Sequence, residues 1–248
     1  MMQGYDTASY EAVLAERRER ILGQIAEAAR TAGRDASEIT LLAVSKTVDV
    51  DEVACAWRVG YTAFGESRPQ ELRRKAQAIA AIEGMEDARI DMIGNLQTNK
   101  INQVISYAHL VHSVSSLHLA EAIARRAETK GVRVPILLEV NVSGEASKSG
   151  FAPEEARAAL DRVAALDALA VEGVMTMAPA HDSSAARATF SGLRELRDTM
   201  RADSGLALDV LSCGMSDDFG IAVEEGSTLV RLGRIVFDPA YPLDVCEK

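Results

Sequence analysis

The chain has 248 residues, 48% hydrophobic and 26% charged, with a formal net charge of -10. That composition can fill a core, while the acidic balance argues against a nucleic-acid footprint and against docking on an anionic membrane, both of which need a basic face. No basic-then-apolar leader opens the chain and no apolar stretch could span a bilayer; three cysteines without paired spacing, Cys55, Cys213 and Cys246, fit a reducing compartment, so a cytoplasmic protein is expected.

The first expected element is a helix over residues 9–32. Short apolar runs then alternate with longer amphipathic segments. Strands are read at 39–46, 63–66, 90–96, 110–114, 136–142, 171–177, 208–213 and 228–233. Helices are read between them at 51–59, 70–82, 99–107, 116–130, 154–166, 185–201 and 218–225. Gly60, Gly131 and Gly226 stand where helix C-caps belong, and Pro153 suits a first helical turn. Eight strands separated by helices imply parallel pairing through right-handed crossovers. The simplest closed solution is a single (β/α)8 barrel of the TIM type. An open doubly wound sheet would usually carry a G-x-G-x-x-G turn, and none occurs. No helix is read after the eighth strand, and the extra N-terminal helix is expected to cover that seam. One domain over 1–248 is expected, with 1–8 and 241–248 as mobile tails.

Chemistry in such barrels sits at the C-terminal strand tips. Lys46 ends the first apolar run, Leu41-Leu42-Ala43-Val44-Ser45-Lys46. Its amine either rests in solvent or attacks a carbonyl to form a Schiff base. The tips after strands seven and eight carry Gly214, Ser216, Gly233 and Arg234, and barrels often bind a phosphate there through backbone N–H groups. Ser216 reads equally as a phosphate contact and as the N-cap of the next helix. Arg231, between Val230 and Leu232, places a charge inside an apolar strand. It needs a polar partner, either Glu66 or Glu139 or an atom of a ligand ring. An imine-forming amine, a phosphate cradle and an interior cation together suggest pyridoxal 5′-phosphate (PLP). The four histidines form no compact metal signature, and no metal site is expected. Cys213 is expected to be a small buried hydrophobe.

Blocks in this order resemble the pyridoxal phosphate homeostasis family, single-domain PLP-binding proteins with a barrel like that of alanine racemase. They are Ala43-Val44-Ser45-Lys46-Thr47, Phe64-Gly65-Glu66-Ser67-Arg68-Pro69-Gln70-Glu71, Ile93-Gly94-Asn95-Leu96-Gln97-Thr98-Asn99-Lys100, Ser147-Lys148-Ser149-Gly150, Gly173-Val174-Met175-Thr176-Met177, Leu211-Ser212-Cys213-Gly214-Met215-Ser216-Asp217-Asp218-Phe219 and Gly226-Ser227-Thr228-Leu229-Val230-Arg231-Leu232-Gly233. The resemblance implies that Lys46 forms the internal aldimine. It implies that Ser216, Gly233 and the N–H of Arg234 hold the phosphate, and that Arg231 faces the pyridine nitrogen. Ser67 and Asn95 are cofactor contacts by the same reading, although the family usually has Asn at the first position and often His or Pro at the second. Cys213, Arg234 and Asp238 replace the family's common Met, Thr and Gly.

An arginine can only donate, so it leaves the ring nitrogen an acceptor and weakens the electron sink. Racemases of this kind add a tyrosine from a second domain. The chain ends soon after strand eight; Tyr241 is expected in the tail, and Tyr107 at a helix end away from the mouth. The resulting expectation is a monomeric carrier that holds PLP and delivers it to PLP-dependent apoenzymes, with no catalytic residue assigned. An amino-acid racemase is the alternative, and a cofactor-free aldolase using Lys46 the weaker third.

Overall fold

The computed structural model describes residues 5–243. Helix α1 (Thr7–Thr31) comes first, followed after a short 3-10 turn by β1 (Thr40–Val44). Then follow α2 (Val50–Arg58), β2 (Ala63–Glu66), α3 (Pro69–Ile79), β3 (Arg89–Met92), β4 (Val111–Val114) and α4 (Leu117–Lys130). The second half is β5 (Val134–Glu139), α5 (Pro153–Ala164), β6 (Leu169–Met175), α6 (Ser183–Ser204), β7 (Val210–Ser212), α7 (Phe219–Glu224), β8 (Leu229–Leu232) and α8 (Arg234–Phe237). The eight strands pair in sequence order, all parallel, and β1 closes on β8 through Leu41↔Val230 and Leu42↔Arg231. This is the expected (β/α)8 barrel with its extra N-terminal helix.

The strands form because short β-branched and leucine-rich runs can bury both faces, one inward and one under the helices. β2, β4 and β8 are buried along their whole length. Leu42, Ala63 and Leu229 pack together within the barrel, as do Leu110, Leu137 and Met175. The larger apolar cluster fills the layer between barrel and helices. At the β6–β7 seam the strands approach so closely that a Cβ on Gly173 would stand 1.9 Å from the Val210 carbonyl oxygen.

Two expectations are corrected. The segment read as a helix over 99–107 forms only 3-10 turns over Thr98–Gln103. Its Thr, Asn and Gln residues bond readily to nearby backbone and favour helix interiors poorly. Second, a helix does follow the eighth strand. It is the single turn α8, and α1 packs over it rather than replacing it. Buried α1 residues recur at helical spacing as Tyr10, Leu14, Arg17, Ile21 and Ile25. From that stripe the Arg17 guanidinium donates to the carbonyls of Ile235, Pro239 and Tyr241, each at 2.8 Å. The Tyr10 hydroxyl donates to the Phe237 carbonyl at 3.3 Å.

The segments expected to be mobile tails fall partly outside the described residues. Within them, Thr7 and Ala8 form the first turn of α1, and the Leu243 carbonyl accepts from Gln24 at 2.6 Å. Among the described residues no helix is long and apolar enough to cross a membrane.

Candidate functional site

The C-terminal strand tips enclose a cavity of about 600 Å³. Lys46, Ser67, Asn95, Ser216, Arg231, Gly233 and Arg234 all line it. Gly214 does not. Its φ of +94° turns the chain beneath α7, and a Cβ there would meet the Ala222 Cβ at 2.6 Å. Gly214 therefore packs behind the wall. Gly94 also permits a close approach, because its α-carbon hydrogen faces the Ser67 carbonyl oxygen where a Cβ would stand 2.2 Å away. This contact presses the tips of β2 and β3 together. Asn95 then donates to Ser149 Oγ at 3.1 Å, tying the β3 tip to the loop after β5.

Lys46 lies two residues beyond the end of β1, in a turn closed by Val48 N–H to the Ser45 carbonyl at 3.1 Å, rather than within the strand. Its side chain is exposed to the cavity. What fixes the turn is a buried lysine that the sequence reading missed. Lys75 of α3 is 2% exposed. Its ammonium donates to the carbonyls of Ser45 at 2.7 Å and Val48 at 2.6 Å, on either side of Lys46. The third donor meets Glu66 Oε1 at 2.5 Å, and Ser45 Oγ donates to the same oxygen at 3.0 Å. Glu66 is thus committed to Lys75 rather than to Arg231. The signal was available: Leu72, Lys75 and Ile79 share one helical face, so Lys75 stands on an apolar stripe.

Arg231 is 6% exposed and makes no ion pair with either candidate carboxylate among the described residues. It donates through Nη1 to Ser212 Oγ at 2.6 Å and through Nη2 to the Thr176 carbonyl at 3.0 Å. Ser212 Oγ also lies 3.0 Å from His112 Nδ1, and His112 Nε2 lies 3.0 Å from Asp91 Oδ2. Arg89 grips Asp91 with two bonds, at 2.9 and 2.7 Å. Polarity runs one way along this chain. An arginine only donates, so Ser212 Oγ accepts from it; the Asp91 carboxylate only accepts, so Nε2 carries a proton toward it, and in a neutral ring Nδ1 is left to accept the Ser212 hydroxyl hydrogen. His112 is then the neutral tautomer with its proton on Nε2, donating to Asp91. Burial pushes the His112 pKa down, and Asp91 only partly opposes this. For Asp91 burial acts upward, but the bonds from His112 and Arg89 prevail and hold its carboxyl below the ordinary value.

The phosphate-like tip is built differently from the expectation. Ser216 is not an N-cap. Asp218 precedes α7, and its carboxylate accepts from the Met215 N–H at 2.6 Å. Ser216 Oγ instead faces α8 and accepts from the Ile235 N–H at 3.4 Å. The Gly233 and Arg234 N–H groups open α8 and have no intrahelical acceptor. The Arg234 guanidinium pairs with Asp217 at 2.6 Å and lies 4.8 Å from the Tyr241 ring centroid. The Tyr241 hydroxyl bonds Asp217 as well. Cys213 is fully buried, which pushes its thiol up to about 12. Among the described residues no group of side chains could hold a metal ion.

The alanine racemase N-terminal domain family model matches residues 21–239. The pyridoxal phosphate homeostasis protein of Aquifex aeolicus is 37% identical over 223 residues, 90% of this chain and 96% of that one. The chain belongs to that family. A relative of the same name from Pseudomonas aeruginosa is 38% identical over 225 residues, 90% of this chain and 94% of its own. The structure of PipY from Synechococcus elongatus with PLP bound matches with a TM-score of 0.75 and 29% identity, covering 86% of this chain and 99% of that one.

Two outcomes follow from the buried pairs. Lys75→Met is expected to cost about 3–5 kcal/mol in urea unfolding, because it strands a buried carboxylate. Lys75→Met with Glu66→Leu should recover most of that loss, and an equal loss in both variants would remove the charge pair as the cause. For His112, nitrogen NMR should show the Nε2–H tautomer at pH 7. The native pKa lies below the unfolded value of about 6.5, so the unfolded chain takes the proton first. Stability carried by neutral His112 is therefore complete above about pH 6.5 and declines as pH falls below it. Titration of His112 at or above the ordinary value would contradict the network's polarity.

Proposed function

We propose that this protein holds PLP at the barrel mouth as part of intracellular PLP homeostasis and passes it to PLP-dependent apoenzymes. The observation that carries this reading is the convergence in one cavity of an accessible amine, Lys46, an interior guanidinium, Arg231, and the hydroxyl and N–H donors of Ser216, Gly233 and Arg234. A volume of about 600 Å³ is within the range of small-molecule sites. The donor set fits the cofactor: a nucleophile for its aldehyde, neutral donors for its phosphate, and a hydrogen-bond donor for its ring nitrogen. The names of the relatives and the PLP-bound structure of PipY support the same ligand.

Bound PLP supplies an electrophilic carbonyl and, when its ring nitrogen is protonated, an electron sink. The residues present favour the first property over the second. Arg231 keeps its proton and is anchored by Ser212 and Thr176. It offers the ring a donor and no acceptor, so a nitrogen beside it stays unprotonated. Lys75 holds the backbone carbonyls beside Lys46 and fixes where the amine stands. Ser67 and Asn95 also line the cavity and would contact a cofactor held there. The protein is accordingly a cofactor holder rather than an efficient enzyme. We infer a monomer working in the cytosol, in keeping with buried, unpaired Cys55 and Cys213.

Borohydride reduction of the PLP-loaded protein, followed by peptide mass mapping, is expected to place the pyridoxyl group on Lys46. Label on Lys100 or Lys148 instead would displace the assignment. In the same assay Ser216→Ala should weaken PLP retention by about 1.5–3 kcal/mol, while pyridoxal, which lacks the phosphate, should be nearly indifferent. Equal losses would move the phosphate elsewhere.

The second reading, an amino-acid racemase, is favoured by the family model's description alone. Solvent deuterium incorporation into alanine, followed with chiral chromatography, separates the two. Slow exchange is expected. Exchange at the usual enzymatic ~1–10³ s⁻¹ would restore the racemase.

A further inference from the structure

The loop between β5 and α5 builds one wall of the cavity through Ser147, Lys148 and Ser149. From residue 143 to residue 150 no side chain joins the apolar core, and Gly144, Ala146 and Ser147 are exposed. Fixing a backbone costs conformational entropy, so this stretch needs hydrogen bonds in place of burial. One side chain, Asn141, supplies them. Its Nδ2 donates to the carbonyls of Glu145 at 2.9 Å and Lys148 at 3.3 Å. Its Oδ1 accepts from the Gly144 N–H at 3.1 Å and from Ser143 Oγ at 3.2 Å. Two donors and two acceptor sites are all that a primary amide has. Asn141 itself does not line the cavity.

The base of the loop is closed. The Phe151 N–H donates to the Glu139 carbonyl at 2.8 Å, and the Asn141 N–H to the Phe151 carbonyl at 2.9 Å. Gly150, at φ +121°, lets the returning chain pass, because a Cβ there would stand 2.8 Å from the Asn141 nitrogen. The far side of the loop is tied to the rim at two points. At the β3 tip Asn95 donates to Ser149 Oγ at 3.1 Å, and beyond β6 the Met177 carbonyl accepts from Lys148 Nζ at 3.2 Å. β4 lies between β3 and β5 in the barrel, so the first tie spans the β4 tip. The loop thus straps the rim from β3 to β6. It is firm at its base and within itself, and its outer ties are two bonds that solvent reaches.

We propose that Asn141 is a positioning residue: it shapes the loop so that Ser149 and Lys148 reach the rim on either side, and opening of this strap sets how fast PLP is taken up and released. This rests on the PLP reading and holds for any orientation of the ligand within the cavity. A strap that must open for passage in both directions slows uptake and release equally and leaves affinity alone. A wall that only touches the ligand slows release alone. A loop with no part in passage changes neither rate.

The test uses the full-length wild-type, Asn141→Ala and Ser149→Ala proteins. PLP uptake is followed by stopped-flow absorbance, and release with phenylhydrazine at concentrations where the rate no longer depends on the trap. Hydrogen exchange of residues 142–150 and thermal unfolding are measured on the ligand-free proteins. Asn141→Ala is expected to raise both rate constants about tenfold, the scale of one or two net hydrogen bonds, with Kd within about threefold of wild type. It should also speed exchange of residues 142–150. Ser149→Ala removes the tie to Asn95 and no bond inside the loop, and it should raise both rates about threefold on the same scale. A rise in release alone would make the loop a ligand contact and overturn the strap. Unchanged rates with a lowered Tm would make Asn141 purely structural and overturn it too, and unchanged exchange in Asn141→Ala would remove its positioning role. If Asn141→Ala does not fold, Ser149→Ala decides, and unchanged rates in that variant overturn the proposal. Failure of wild type to bind PLP at all would overturn the underlying reading, and with it the limit on passage, a result distinct from every variant outcome.

Discussion

The polar interior of this barrel is arranged around one constraint: Arg231 is a guanidinium in the middle of a parallel sheet, and it must be given acceptors. A buried charge without partners costs several kcal/mol after relaxation. The barrel meets the need with neutral groups, the Ser212 hydroxyl and the Thr176 carbonyl, and not with a carboxylate in direct contact. Ser212 is then an acceptor toward Arg231 and a donor toward His112. Burial favours the neutral form of His112, which donates to Asp91, and the bonds from His112 and Arg89 hold the Asp91 carboxyl below its ordinary pKa. The charge on β8 is thereby linked through one hydrogen-bonded chain to β7, β4 and β3. That chain also explains why Arg231 can present its remaining N–H groups to the cavity without swinging.

A second device acts at the other end of the same chain segment. β8 runs directly into α8, whose first N–H groups face the cavity and whose carbonyl end faces α1. An isolated single turn of helix is not stable, because nucleation costs more than one turn returns. Here Arg17 and Tyr10 hold the carbonyls of Ile235, Phe237 and Pro239, while Ser216 meets the Ile235 N–H. The N-terminal helix is therefore coupled to the mouth of the barrel, although it contributes no side chain to the cavity wall.

These arrangements were unevenly legible in the sequence. The strands were legible because short apolar runs bounded by Gly, Pro and Asp punctuate the chain, and Lys46, Ser216, Arg231 and Gly233 were legible because polar groups stand at the ends of those runs. The readings that failed depended on neighbours distant in sequence. Ser216 reads as an N-cap from its local context, yet the Met215 N–H goes to Asp218, and that leaves Ser216 free to face α8. Gly214 reads as a ligand-facing glycine, but α7 packs against it. α8 was invisible because Arg-Ile-Val-Phe carries β-branched residues that continue a strand pattern. Lys75 could have been found from its place on the apolar stripe of α3. Glu139 reads as a candidate partner for Arg231, yet among the described residues no ion pair joins them and its Oε2 has no hydrogen-bond partner.

The charges at the mouth bear on how firmly a phosphate can be held. Arg234 stands beside the Gly233 N–H and could have supplied a full positive charge. It is instead paired with Asp217, which also bonds Tyr241, so much of that charge is already answered within the protein. On the proposed reading, a phosphate at this tip would meet mainly neutral donors, the Ser216 hydroxyl and the opening N–H groups of α8. Hydrogen bonds from neutral groups to an anion are weaker than bidentate ion pairs, and moving Arg234 toward the phosphate would break its contact with Asp217. The same restraint holds on the far side, where Lys148 is drawn to the Met177 carbonyl at 3.2 Å and to Glu145 at 3.4 Å. Arg231, Arg234 and Lys148 in the cavity wall are thus each engaged by groups of the protein itself, and Lys46 is not. On the proposed reading, such a site would grip an anionic ligand through geometry and the Lys46 amine, and would release it when that bond opens.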